Sequence, residues 1–237
     1  MGDYETAADF YDLLYAGEKD YAAEAAWLAE CIRERQPAAR SLLDVACGTG
    51  EHAKHLAAMG FRVDGVDLEP AFVARAAAKL PAGRFQVADM EHLDLDERYD
   101  VVTCLFSSIG YACTVERLNR TVAALARHLA PAGVLIVDPW FEPGQLTHGF
   151  VMTVLGADEQ AKVCRMSRTV VDGRLSVLEF EYLIGRAGGI ERASERHTLG
   201  LFTEAEMGSA FAAAGLRVER LPEALRTRGI YVGRPAD

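Results

Sequence analysis

Positive charge is in short supply: 25 Lys and Arg stand against 35 Asp and Glu, for a formal net charge of -10. A nucleic-acid groove wants a basic stripe, so this balance argues against DNA and RNA as partners. Local Arg clusters still hold an anion against such a background. Cysteine is sparse, and Cys31, Cys47, Cys104, Cys113 and Cys164 are scattered and odd in number. No pair has the short spacing of a zinc site, so free thiols in a reducing compartment are expected. No metal-ligand cluster stands out, and a bound metal is not expected. Long apolar runs are missing too, so no segment reads as a bilayer span. The start, "MGDYETAADFYDLLY", has no basic stretch followed by an apolar core and does not read as a secretion signal. These absences together predict a cytoplasmic protein without a membrane partner.

What is present is ordinary in bulk and ordered in detail. The chain has 237 residues, half of them hydrophobic, enough for one buried core and a lid or subdomain. "YAAEAAWLAECIRERQ" puts Ala25, Leu28, Ala29 and Ile32 on one helical face, and Pro37 ends it. "SLLDVA" reads as a buried strand, "EHAKHLAAMG" as a helix and "FRVDGVDL" as the next strand. "PAFVARAAAKL" opens a helix with proline, "RFQVADM" and "YDVVTCLFSS" are strands, "TVERLNRTVAALARHLA" is an amphipathic helix and "GVLIVDPW" a fifth strand. This alternation predicts an α/β fold, a doubly wound, mostly parallel sheet with helices on both faces. From Phe141 onward the pattern changes to β-branched alternation, with "VDGR" as a hairpin turn, which predicts an inserted antiparallel sheet. We read residues 1–237 as a single domain, with 141–200 as an inserted antiparallel β substrate-binding subdomain. Helix "TEAEMGSAFAAAG" and strands "LRVERL" and "GIYVG" close the chain, the last pair antiparallel, for a seven-stranded sheet whose last strand runs antiparallel.

The stretch "SLLDVACGTG" drops from a strand through one acid into small residues. Ligands of open α/β sheets sit at the carboxyl ends of strands, and three such ends carry acids: Asp44, Asp67 and Asp89. Ala46, Gly48 and Gly50 are expected to let the backbone approach a ligand where a larger side chain would collide. Asp67, with Leu68 beside it, is placed to take both ribose hydroxyls. Asp89 suits an adenine amine, with the Met90 thioether on the ring. "GTGEHA" also satisfies the loose pattern of a dinucleotide site, so NAD is the competing cofactor. Asp44 argues against it, because a carboxylate directly before the loop repels a pyrophosphate but welcomes an ammonium. S-adenosylmethionine is therefore the expected cofactor, and an NAD(P)-dependent oxidoreductase the alternative from another class.

"LLDVACGTG", "GVDL", "ADM" and the closing strand pair resemble class I S-adenosylmethionine-dependent methyltransferases. Over almost the whole chain, "YDLLYAGEKDYAAEA", "SLLDVACGTGEH", "FSSIGY", "HLAPAGVLIVDPWF", "FAAAGLRVE" and "RGIYVG" resemble the N,N-dimethyltransferases of dTDP-linked 3-amino deoxysugars in antibiotic biosynthesis. The resemblance implies that Tyr21, the Ala46 loop, Asp67, Asp89, Met90 and Leu105 hold the cofactor. It places Tyr15 and Tyr111 near the transferred methyl, and Trp140, Arg165, His197 and Arg228 toward a nucleotide-sugar. The chain departs from it in Asp67, where the sugar enzymes often carry Glu, and in "PWF", where they tend to carry two tryptophans.

Methyl transfer is an in-line displacement, so holding nucleophile, carbon and sulfur in line is the main task. A sulfonium favours aromatic faces, which suits Tyr15, Tyr111 and Phe106. An amine needs no strong base, whereas an O-methyltransferase on another small metabolite would want one, and His197 is the residue offered for it. Arg165 and Arg168 read as an exposed strand, and His52, His55, His92, His128 and His148 as surface residues. Tyr4, Tyr11 and Tyr15 recur at near-helical spacing, which for Tyr11 reads as packing. The six methionines read as core filler. A homodimer is left open.

Overall fold

The computed structural model describes residues 5–222 and 228–236, with side chains from residue 8; Tyr4 lies outside the described residues. Five parallel strands form first: β1 (Ser41–Val45), β2 (Arg62–Asp67), β3 (Phe85–Val87), β4 (Tyr99–Cys104) and β5 (Leu129–Val137). Helices α1 (Glu5–Tyr15), α2 (Tyr21–Arg35), α3 (Glu51–Ala58), α4 (Pro70–Lys79) and α5 (Val115–Arg127) precede or link them. A four-stranded excursion follows, β6 (Val151–Ala157), β7 (Lys162–Asp172), β8 (Leu175–Arg186) and β9 (Gly189–Gly200). Helix α6 (Glu204–Ala213) and strands β10 (Leu216–Leu221) and β11 (Ile230–Pro235) return to the main sheet.

The main sheet has the order β10-β11-β5-β4-β1-β2-β3, and β11 runs antiparallel to both its neighbours. Alternate residues of each buried strand face opposite layers, as a pleat requires. Leu43, Val45, Val102 and Val137 pack with α5 and α6, while Leu42, Val101 and Ile136 pack with α2 and α3. The order reverses between β1 and β4, so the carboxyl ends of these two strands flank the switch point where open α/β sheets bind ligands.

The excursion is a separate antiparallel meander, β6-β7-β8-β9. Its β7–β8 turn carries Gly173 at φ 58, between Asp172 and Leu175, which pair across the hairpin. Regular strand begins at Val151, so residues 141–150 form a connecting loop. One face of this sheet packs on α1, an element the alternating pattern did not separate out: Phe10 and Leu14 sit among Val154, Val163, Phe180, Tyr182 and Ile184. Gly156 makes the approach close, since a β-carbon there would stand 2.9 Å from the Leu13 carbonyl oxygen. Asp9 and Asp12 of α1 pair with Arg75 and Lys79 of α4, which ties the helix to the main body as well.

Several boundaries differ from the sequence reading: β4 stops at Cys104 rather than Ser108, and β5 at Val137 rather than Trp140. Strand β3 stops at Val87, which leaves Asp89 and Met90 in the turn beyond it. Strand β5 starts at Leu129, paired with Tyr99, and residues 130–133 bulge before Val134 pairs with Val101.

Candidate active site

Beyond β1 the backbone enters the left-handed region at Ala46 (φ 56), Gly48 (φ 55) and Gly50 (φ 80) before α3 begins. A non-glycine residue in that region is strained, and such strain gathers at ligand sites. Asp67 braces the loop: its carboxylate accepts the Gly48 amide at 2.8 Å and the Glu69 amide at 2.9 Å. Burial raises the Asp67 pKa, while those amides oppose the rise. A carboxylate has about four lone-pair sites, so acceptor capacity remains for two ribose hydroxyls. Asp44 is buried beneath the loop, accepting from the Thr103 hydroxyl at 2.7 Å. Burial pushes its carboxyl up to about 6, against the pull of His52.

The resulting crevice, about 40 Å³, is lined by Tyr21, Asp44, Ala46, Gly48, His52 and Leu105 among others. A β-carbon on Gly48 would meet no atom within 4 Å, so the glycine leaves a hollow in the lining. Gly50 has another reason: its β-carbon would stand 2.9 Å from that of Ala76, so α4 rather than a ligand excludes a side chain there. Asp67, Leu68, Asp89 and Met90 stand outside this lining, at the ends of β2 and β3. Leu68 is 46% exposed there, and Asp89 accepts the Glu91 amide at 2.9 Å. The structure also brings the ligand atoms of Asp89, Glu91 and His92 within 4.8 Å of one another, a cluster that spacing alone did not show. Glu91 spends its charge on Arg117 and Arg120, each at 2.6 Å.

A second chamber, about 370 Å³, opens between α1 and the inner face of the meander. Tyr15, Tyr111, Trp140, Arg165, His197 and Arg228 all line it, so folding gathers residues spread over most of the chain. It shares Tyr11, Phe106 and Ser108 with the crevice, which makes Tyr11 a common wall as well as a packing residue. An open groove of about 1250 Å³ along the α1–α2 turn shares Tyr21 and Glu51 with the crevice and Arg228 with the chamber. Phe106 borders all three hollows.

Both chamber arginines are partly committed. Arg165 is only 4% exposed, which corrects the reading of it on an exposed strand. Strand alternation turns it inward with Val163 and Ser167, while Arg168 faces out and pairs with Glu179. Its Nη1 donates to the Tyr15 hydroxyl at 2.9 Å, the guanidinium lies 4.6 Å from the Phe180 ring, and its buried Nε has no hydrogen-bond partner among the described residues. Arg228 donates from Nε to the Pro139 carbonyl at 3.0 Å and from Nη2 to the Ser107 hydroxyl. It lies against Trp140 and Phe141, and burial lowers its pKa while Asp138 resists that shift. His197 is buried, with Nδ1 3.2 Å from the Tyr111 hydroxyl and Nε2 3.3 Å from Glu195.

Phe106 belongs to the aromatic faces expected beside a sulfonium, but Ser107, Asp138 and Asp12 escaped the sequence reading. Phe106 and Ser107 both hold positive φ, 53 and 62, and buried Asp138 accepts the Ser107 amide at 3.1 Å. Burial pushes the Asp138 carboxyl up to about 6, with Arg228 and Lys19 opposing. "LIVDPW" carried the same signal as the other strand-end acids. Asp12 accepts from the Thr49 hydroxyl at 2.5 Å and so fastens α1 to the loop, a contact with no local sequence signal. His52 and His128 are buried, not surface residues. His52 lies 2.8 Å from Glu24 and against the Tyr21 ring, whereas His128 accepts the Leu95 amide and bonds the Ala124 carbonyl as internal scaffolding.

Residues 42–133, the loop and its flanking strands, match the family described as a methyltransferase domain. Over 231 residues the chain is 40% identical to dTDP-3-amino-3,4,6-trideoxy-alpha-D-glucopyranose N,N-dimethyltransferase of Streptomyces venezuelae, covering 97% of this chain and 98% of that protein. The chain belongs to the S-adenosylmethionine-dependent methyltransferase family. The crystal structure of Streptomyces venezuelae DesVI superimposes with a TM-score of 0.91 at 40% identity, over 97% of this chain and 98% of that one. CalS10 of Micromonospora echinaspora, an amino pentose methyltransferase solved with S-adenosylmethionine bound, gives a TM-score of 0.84 at 38% identity, over 98% of this chain and 96% of that one. The methyltransferase reading sets aside the NAD alternative. The braced loop, the buried acid behind it and the strand-end carboxylates form a donor set that fits S-adenosylmethionine.

Proposed function

We propose that this methyltransferase dimethylates the amino group of a dTDP-linked amino deoxysugar. The observation that carries this reading is the match to the Streptomyces venezuelae N,N-dimethyltransferase across nearly the full length of both proteins. The chamber supports it, because a buried Arg165 and a half-buried Arg228 line it in a chain of net charge -10. Guanidinium forks suit diphosphate oxygens, and the unpartnered Arg165 Nε keeps a donor for one.

S-adenosylmethionine supplies a sulfonium-bound methyl group open to in-line displacement. In this reading Asp67 takes the ribose hydroxyls, Asp89 and Met90 the adenine, and Asp44, Ala46, Gly48, Leu105 and Tyr21 the amino-acid end. Gly50 serves the fold of the loop. Tyr15 and Tyr111 flank the place where crevice and chamber meet, at Tyr11, Phe106 and Ser108. Their hydroxyls orient a neutral amine toward the methyl, and the amine proton leaves to water after attack. Trp140, Arg165 and Arg228 hold the nucleotide-sugar, with His197 behind Tyr111. The meander acts as the substrate-binding part of a single domain. We place the protein in the cytoplasm, consistent with five free cysteines, and propose a homodimer.

Labelled S-adenosylmethionine, incubated with dTDP-3-amino and dTDP-4-amino deoxysugars, tests the assignment. Two methyl groups on the amine of the nucleotide form, and poor transfer to the free sugar, are expected. Equal transfer to the free amino sugar overturns the nucleotide part, and transfer to none of them overturns the acceptor class.

A further inference from the structure

The tyrosines around the site divide between its hollows. Tyr15 and Tyr111 line the chamber, Tyr21 lines the crevice, and Tyr11 lines both. Helical spacing sets Tyr11 one turn before Tyr15 on the same side of α1. The next residue, Asp12, fastens that turn to the loop through Thr49 and to α4 through Lys79. The Tyr11 ring centroid lies 4.6 Å from that of Tyr15, 5.1 Å from Phe72 and 6.5 Å from Phe106. Its hydroxyl feels Tyr15 and Tyr111 from the chamber side, and Tyr21 and Asp67 from the crevice side. Tyr11 therefore stands at the seam between the two hollows.

A cation gains from an aromatic face, and gains most where water is excluded. Three phenyl or phenol rings border the crevice: Tyr11, Tyr21 and Phe106. Two of them already face a cation of the protein, since Lys19 Nζ lies 3.9 Å from the Phe106 centroid and 5.4 Å from that of Tyr21. Tyr15, the next ring along, faces the Arg165 guanidinium at 5.0 Å. Among the described residues no cation stands against the Tyr11 ring. Burial pushes the Tyr11 phenol well above the ordinary tyrosine value, so the side chain stays neutral and is no acceptor for the amine proton. What it offers a reactant is the negative face of its ring.

We propose that Tyr11 is a cofactor-contacting residue for methyl transfer, its ring taking the sulfonium charge of S-adenosylmethionine where crevice and chamber meet. The charge is present only while the methyl is on sulfur, because transfer leaves a neutral thioether. Tyr11 therefore favours the loaded donor over the spent one. The inference rests on the donor lying in the crevice, as read above, and not on the identity of the acceptor.

Calorimetry with S-adenosylmethionine and with S-adenosylhomocysteine, which lacks the charge, separates charge recognition from packing. Tyr11→Leu should weaken the first about tenfold more than the second, the scale of a desolvated contact between a cation and a ring. Tyr11→Phe keeps the ring and should keep the wild-type ratio of the two affinities. Because Tyr11→Leu also alters the packing of α1, phenylalanine carrying one, two or three fluorines, incorporated at position 11, supplies a series of nearly constant shape. Each fluorine drains the ring face, so affinity for S-adenosylmethionine should fall stepwise while that for S-adenosylhomocysteine holds. Equal weakening of both ligands by Tyr11→Leu, or a flat fluorine series, overturns the proposal and leaves Tyr11 a packing residue. Should Tyr11→Leu fail to fold, the fluorine series decides alone. Asp67→Ala tests the donor placement separately: if it weakens neither ligand, that placement fails whatever position 11 does.

Discussion

Asp67 shows how one side chain carries both scaffold and ligand duties. It accepts two loop amides and lies at the end of β2, so removing it takes away a brace and a ribose acceptor together. Hydrogen bonds to a charged acceptor are worth ~1.5–3 kcal/mol each, less when summed, so Asp67→Ala should weaken S-adenosylmethionine binding by ~2–4 kcal/mol. Calorimetry reads this directly, and unchanged affinity would remove Asp67 from the site. Asp138 makes a different prediction because burial raises its pKa from 3.8 to about 6. The native state then holds its proton where the unfolded chain has lost it, so this group's contribution to stability falls as pH rises through that window. The difference corresponds to roughly 3 kcal/mol at about 1.4 kcal/mol per pH unit. The stability of Asp138→Asn relative to wild type should therefore climb by up to that amount between about pH 4 and pH 7. Denaturant titrations at several pH values measure it, and a pH-independent difference would mean that Asp138 titrates normally.

Among the elements, α1 has the most consequence for its length. Its apolar side packs under the meander through Phe10 and Leu14, and Asp12 reaches the loop and α4. Leu14→Ala opens a cavity where the two bodies meet and should cost ~2–5 kcal/mol, measured by chemical denaturation. A smaller loss would mean that the meander settles onto the shortened side chain. The central helices and strands were legible because each carries a regular apolar period between glycine or proline punctuation. The loop was legible because Asp44 and its glycines are adjacent in sequence. The chamber was not, since Arg165 and His197 reveal their inward face only once the strand register is known. Helix α1 was also obscure: its apolar side has no meaning until the meander, about 140 residues later, supplies a partner. Tyr15 and Tyr111 were reached through family resemblance, and nothing in their local sequence distinguishes them from packing residues.

At the scale of the molecule the meander has two unlike faces. The inner one is packed, while the outer one exposes Val151, Leu155, Met166 and Leu183 in neighbouring register, with Leu155 at 73%. The methionines on this sheet, Met152 and Met166, are likewise exposed rather than core filler. Arg168, Glu179 and Glu181 share this face with the apolar side chains, and a second copy of the chain is the occupant the proposed homodimer expects there. Sedimentation should give a dimer for the wild type and a 25.8 kDa monomer for Leu155→Lys, whose charge would lie on the shared face. A wild type that sediments as a monomer ends that reading.

Because Phe106 borders the crevice, the chamber and the outer groove at once, the two reactants do not have to share a door. Spent donor can exchange along the α1–α2 turn while the sugar stays under the meander. If the donor exchanges in this way, two successive transfers need only one residence of the acceptor. In a rapid-quench time course the dimethylated sugar should appear before free monomethyl sugar exceeds the enzyme concentration. Monomethyl sugar accumulating in excess of enzyme would mean that both reactants leave together after every turnover.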